Sequence, residues 1–169
     1  AQRPDLQLID LRGNVNTRLS KLDEGQYDAI ILATSGLIRL GFESRIKMEL
    51  PYEVCLPAIA QGALSIECRE DDERVNRLLA PLHHGPSAAC VLAERSMNAK
   101  LEGGCQVPIA GHAVIEHELL FMRALVGTVD GKTILRGDIS GRPESARELG
   151  VVLAEDLISR GAKEILAQA

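Results

Sequence analysis

Short apolar runs alternate with amphipathic stretches along the first third of the chain. Leu6 to Leu11 has the pattern of a strand. Val15, Leu19 and Leu22 then recur at helical spacing, with Asn14 in place to cap the helix start and Gly25 to end it. Ala29 to Ala33 is a continuous apolar run of the kind a parallel strand buried on both faces shows. Two such runs around one helix predict a βαβ crossover. Ser35 to Leu40 reads as a short helix stopped by Gly41.

From Leu50 to Gly62 the pattern breaks. Pro51, Pro57 and a Gln61-Gly62 turn mark a segment crossing between lobes. Ala63 to Cys68 is again strand-like, and Asp71 to Ala80 is a charged helix. Pro86 and Ser87 open a longer helix, with Ala89, Leu92, Ala93 and Met97 at helical spacing, that ends near Leu101. Val107 to Ile115, Leu119 to Val126 and Thr133 to Ile139 follow as extended stretches joined at His117-Glu118 and Asp130-Gly131, which predicts an antiparallel meander. After Pro143, Glu144 to Ser159 sets Ala146, Leu149, Leu153 and Leu157 on one helical face, suited to cover one side of that sheet. Gly161 separates it from a last helical stretch near Glu164 to Ala167. The expected fold class is therefore α/β followed by α+β, the second part a small three-stranded antiparallel sheet covered by helices.

Composition narrows the function. The 169 residues are 46% hydrophobic and 25% charged, ordinary for a globular protein with one core or two small ones. With no Trp, two Tyr and two Phe, the core is aliphatic and stacking platforms for single-stranded nucleic acid are lacking. A net charge of -5 argues against a nucleic-acid phosphate footprint. No apolar run approaches the length of a membrane span, and the first residues do not read as a signal peptide. Cys55, Cys68, Cys90 and Cys105 are far apart without metal-type spacing, which fits free thiols in the cytoplasm and predicts no metal site. The first three fall in strand or helix patterns and are expected to be buried and inert. His83 and His84 are adjacent and diverge on regular structure, so they are read as a solvated loop before Gly85-Pro86.

Three places carry candidate chemistry. Gly103 and Gly104 turn the chain sharply and leave Cys105 open to a large ligand, an arrangement that suits covalent attachment; the competing reading is a small buried core cysteine. Arg12-Gly13-Asn14 enters a helix start, where backbone N–H groups favour an anion and a guanidinium grips a carboxylate by two parallel hydrogen bonds. Arg18 lies about one turn further on, and Arg39 follows the second expected strand, so both can join that cluster; each is otherwise a solvated surface cation. Arg45 is expected to pair with Glu43 or Glu49. Gln61 and Gly62 either meet a ligand through their backbone or simply link lobes.

Leu101 to Ile109 resembles the cofactor-attachment loop of the hydroxymethylbilane synthase, or porphobilinogen deaminase, family. Four more stretches agree in order and spacing: Leu11-Arg12-Gly13-Asn14-Val15 with Thr17-Arg18-Leu19, Asp28 to Ala33, Leu56 to Ala63, and Ala93-Glu94-Arg95. The resemblance implies a partial periplasmic-binding-protein-like α/β domain over residues 1–56, an interlobe crossing with a strand and helix returning to a first domain over 57–82, and a carboxy-terminal α+β domain over 83–169. It implies a transferase of heme and tetrapyrrole biosynthesis that adds four porphobilinogen units, with release of ammonia, to a dipyrromethane linked as a thioether to Cys105. Arg12, Arg18 and Arg39 would then bind acetate and propionate groups, and Gln61 and Gly62 would meet the cofactor. The family's chains are nearly twice as long, so its catalytic aspartate is expected in an amino-terminal half not represented here, and no residue of this chain takes that role. The full-length form is expected to be a monomer, whereas a fragment with an unpaired strand edge invites self-association. Two other readings stand beside this one. A non-catalytic pyrrole-carboxylate-binding fragment remains open, while a thiol oxidoreductase is weakened by the lack of a resolving cysteine near Cys105.

Overall fold

The computed structural model describes residues 3–104 and 107–168. Its chain divides into two compact units, Ala1–Pro51 and Tyr52–Ala169.

In the first unit, helix α1 (Val15–Asp23) starts where Asn14 accepts the Thr17 N–H at 2.9 Å, and it gives way at Gly25, whose φ is +74°. Helix α2 (Thr34–Arg39) is followed by Gly41 at φ +75°, and a 3-10 turn covers Glu43–Arg45. Leu19 and Leu37 are its buried side chains. The expected strands Leu6–Leu11 and Ala29–Ala33, and Ala63–Cys68 of the second unit, are not strands, and the βαβ ladder does not form. A strand exists only with a hydrogen-bonded neighbour, and a lone two-stranded ladder buries too little apolar surface to hold itself. Leu8, Ile31 and Leu64 accordingly stand 89%, 73% and 80% exposed.

The second unit holds the main core. Helix α3 (Glu73–Leu79) is capped by Asp72, whose carboxylate accepts the Val75 N–H. Helix α4 (Gly85–Lys100) begins where the His84 ring accepts from Ser87, so His84 is a cap and not merely loop. Strands β1 (Ile109–Glu116), β2 (Leu119–Gly127) and β3 (Ile134–Gly141) form one antiparallel sheet in sequence order. His117 and Glu118 both adopt positive φ in the two-residue turn between β1 and β2. After a 3-10 turn at Pro143–Ser145 come α5 (Ala146–Ser159) and α6 (Ala162–Leu166), separated by Gly161 at φ +100°.

Strand periodicity decides which side of the sheet is buried. Leu120, Met122, Ala124 and Val126 of β2 are at most 1% exposed, while Leu119, Phe121 and Arg123 between them face outward. They join Ala93, Met97 and Leu101 along α4 and its end, and Leu153, Ala154, Leu157 and Ala162 of α5 and α6, in one core. Helices α4 and α5 approach closely at Gly150, where an added Cβ would lie 2.9 Å from the Met97 nitrogen and 3.0 Å from the Ala93 carbonyl carbon. On the outer face, Tyr52 stacks on His112 with ring centroids 3.8 Å apart, and Glu53 pairs with Arg123 across from it.

Strand β1 is an edge of the sheet, and two of its outward N–H groups are nevertheless bound. Gly111 donates to the Pro57 carbonyl at 3.1 Å, and Ala113 donates to the Glu94 carboxylate at 2.8 Å. The segment before α3 is thereby laid along the sheet edge.

Candidate functional site

The Arg12–Gly13–Asn14 turn is tied down by its own basic neighbours. Gly13 has φ +126°, a conformation that excludes side-chain-bearing residues, and a Cβ there would also meet the Thr17 side chain at 2.9 Å. Arg18 Nε donates to the Gly13 carbonyl at 2.8 Å and Lys21 Nζ to the Arg12 carbonyl at 3.1 Å. Tyr27 Oη donates to the Asp10 carbonyl at 2.9 Å, which fixes the chain just before the turn. The result is a braced loop from which the Arg12 side chain, 90% exposed, projects into solvent with Asp10 as a loose partner at 3.9 Å. Arg18 keeps its terminal guanidinium nitrogens beyond that Nε contact.

Arg39 occupies the last turn of α2 and is exposed. Among the described residues, no hydrogen bond or ion pair joins it to the Arg12 turn. Arg45 pairs with Asp23 at the end of α1, rather than with Glu43 or Glu49, because the 3-10 turn points it back at that helix. The structure thus brings Arg12 and Arg18 to one turn and leaves Arg39 on a separate element of the same unit.

In the second unit, Gln61 and Gly62 form an exposed tight turn: Gln61 donates to the Ala58 carbonyl at 3.0 Å and Ala63 to the Ala60 carbonyl at 3.1 Å. Ala60 and Gly62 sit at φ +58° and +84°. A non-glycine residue held at positive φ needs outside support. Ala60 has it, since its N–H donates to Glu94 Oε2 at 2.6 Å.

Glu94 is the residue that sequence reasoning missed. The residue is 5% exposed, and its two carboxylate oxygens accept from Ala60 and Ala113, so one side chain of α4 binds both the turn and the sheet edge. Burial pushes its carboxyl above the ordinary carboxylate range, against the two backbone hydrogen bonds and His112, which pull the other way. Burial, and then the Glu94 charge, also push the Cys90 thiol up. The available signal was positional: Cys90, Ala93, Glu94, Met97 and Leu101 follow helical core spacing, and a glutamate on that stripe needs a partner.

Helix α4 ends in a tight loop. Glu102 has φ +58°, Gly103 N–H donates to the Asn98 carbonyl at 2.9 Å, and Asn98 Nδ2 donates back to the Gly103 carbonyl at 3.1 Å. A Cβ on Gly103 would overlap the Asn98 side chain and come 2.7 Å from Ile109 Cδ1. Cys105 itself lies outside the described residues. The other cysteines differ from expectation, because Cys55 and Cys68 are exposed and Cys90 is half-buried. The segments carrying the first two are not strands, so no sheet covers them.

Residues 1–77 match the family model described as porphobilinogen deaminase, dipyromethane cofactor binding domain, and residues 88–159 match the one described as porphobilinogen deaminase, C-terminal domain. The two matches follow each other in order and between them take in both units. The chain belongs to the porphobilinogen deaminase family. Membership gives it a role in tetrapyrrole biosynthesis, in a family of transferases that use porphobilinogen as substrate. Arg12, Arg18, Arg39, Gln61 and Gly62 fall within the cofactor-binding match, and Glu94 and Cys105 within the carboxy-terminal one. Among the described residues, no helix is long and apolar enough to cross a membrane, and no three His, Cys, Asp or Glu side chains come together to hold a metal ion.

Proposed function

We propose that this chain is the part of a hydroxymethylbilane synthase that carries its dipyrromethane on Cys105 and grips pyrrole carboxylates with Arg12, Arg18 and Arg39. The reaction is the stepwise condensation of four porphobilinogen units with release of ammonia, in the cytoplasm. The observation that carries this reading is the pair of family matches in order, with Cys105 following the glycine loop that ends α4. The donor set of the Arg12 turn fits the cofactor's acid groups. An exposed guanidinium and the opening N–H groups of α1 suit a carboxylate, and a braced Gly13 holds them in place without further ordering cost.

When bound, dipyrromethane supplies the primer to which pyrroles are joined. The chain's own residues orient and bind: Arg12 and Arg18 hold carboxylates, and Gln61 and Gly62 offer backbone groups at an exposed turn. In this reading, residues 1–56 belong to a periplasmic-binding-protein-like α/β domain, 57–82 form the crossing, and 83–169 the cofactor-bearing domain. The apolar composition of Leu6–Leu11 and Ala29–Ala33 supports the first assignment.

A second reading, carboxylate binding without turnover, is favoured by one observation. Glu94 is the carboxyl whose proton affinity burial raises, and both of its oxygens are occupied by backbone N–H groups, so it is not free to shuttle a proton to substrate. Intact mass under denaturing conditions, before and after incubation with porphobilinogen, tests the assignment. A mass excess equal to a dipyrromethane, absent in Cys105→Ser, supports the anchor. Equal excess in both refutes it.

A further inference from the structure

We propose that Glu94 is a positioning residue that sets the Gln61–Gly62 turn against the helix leading to Cys105. The inference rests on the reading that this turn and the cysteine loop serve one cofactor. Three elements meet at this side chain. It projects from α4, whose last turn passes into the Gly103–Gly104 loop. Its Oε1 takes the Ala113 N–H of β1, and its Oε2 takes the Ala60 N–H one residue before Gln61.

Neither backbone donor is satisfied as well by another route. The Ala113 N–H points away from β2 while its side chain lies in the core, and Ala60 is at φ +58°, where local geometry alone does not hold an alanine. The Pro57 carbonyl on Gly111 and the packing of Ile59 over Gly111 fasten the start of the segment, but they act before the turn. The Gln61–Ala58 and Ala63–Ala60 bonds close the turn on itself, and the Glu94–Ala60 bond is what fixes that turn to α4. A neutral apolar residue would bury the helix as well or better, so the carboxylate at this position is explained by the two N–H groups it serves.

The carboxylate also suits the task through its length. Glutamate spans the distance from α4 to both donors with its two oxygens. Aspartate is one methylene short, and glutamine presents one acceptor and one N–H₂ group that faces a backbone N–H.

The test compares the wild-type chain with Glu94→Gln and Glu94→Asp by backbone amide exchange and by porphobilinogen titration followed in NMR. Expected for Glu94→Gln is at least a tenfold rise in exchange at Ala60, with Leu120 and Met122 still protected, and at least a tenfold weaker porphobilinogen response at Gln61 and Gly62. Should Glu94→Gln fail to fold, Glu94→Asp, which keeps the charge, is expected to give the same pattern. Unchanged Ala60 exchange overturns the proposal, as does freed Ala60 with an undiminished response. A wild-type chain with no porphobilinogen response overturns the functional assignment itself, and is thereby distinguished from a failure at Glu94.

Discussion

Replacing Gly150 by alanine tests how closely the two main helices of the second unit approach. A Cβ at this position lies 2.9 Å from the Met97 nitrogen, where ordinary contact begins near 3.4 Å, and it overlaps the Ala93 carbonyl oxygen more severely. These are backbone atoms of α4 and cannot rotate aside. The helices must part by about half an ångström or more, and gaps of about 0.5–1 Å forfeit roughly a quarter to a half of each dispersion contact across the seam. Overpacking of this kind costs about 1–3 kcal/mol, against which alanine's better helix propensity returns up to about 1 kcal/mol. The expected net loss is about 1–2 kcal/mol, and at roughly 2–4 °C per kcal/mol for a chain of this length the thermal midpoint falls by about 2–8 °C. Thermal unfolding followed by circular dichroism reads this directly. Gly85→Ala, at the open first position of α4 with nothing near its Cβ, serves as the control and is expected to stay within about 0.5 kcal/mol of wild type. A Gly150→Ala midpoint equal to or above wild type refutes the close crossing.

Asp130 gives a prediction with a defined sign. Thr128 Oγ1 and the Lys132 N–H donate to its carboxylate in the β2–β3 turn, with the Lys132 ammonium alongside, and hold its pKa down to about 2. A depressed carboxyl stabilises the fold above its unfolded value and loses that contribution as pH falls from about 4 to about 2. Urea midpoints for wild type and Asp130→Asn are therefore expected to differ at neutral pH and converge at the acid end; a constant gap refutes the assignment. At Arg12, replacement by lysine leaves the fold intact because the side chain is exposed, and weakens porphobilinogen binding about tenfold by removing the bidentate grip. Calorimetric titration with unchanged affinity returns Arg12 to the class of solvated cations.

Elements whose partners lie nearby in sequence were legible in advance. Asn14 and Gly25 bracket α1, the meander has its three strands and both joints, and the Leu153–Leu157 face of α5 meets the sheet as expected. Leu6–Leu11, Ala29–Ala33 and Ala63–Cys68 failed for one physical reason: apolar runs specify extended backbone only where a ladder neighbour exists, and periodicity does not report the neighbour. The same gap led to the misreading of Cys55 and Cys68 as buried. At the site, Gly103 was readable as a glycine under backbone constraint, whereas the positive φ of Gly13 came from the structure. For Glu94 the core spacing of α4 signals a need for partners but not their identity, because they are amides 34 and 19 residues away and no local pattern encodes a backbone donor at that range.

The bound edge of β1 also governs what the sheet can grow into. An incoming strand, from another copy or from an unfolded chain, would need the outward N–H groups of Gly111 and Ala113 as its template, and a carbonyl and a carboxylate already hold both. Such a strand would have to displace a proline-bearing segment and strand a buried negative charge at the same moment. Polymerisation through this side is therefore disfavoured by the very contacts that place the turn, and extension of the sheet is directed to β3.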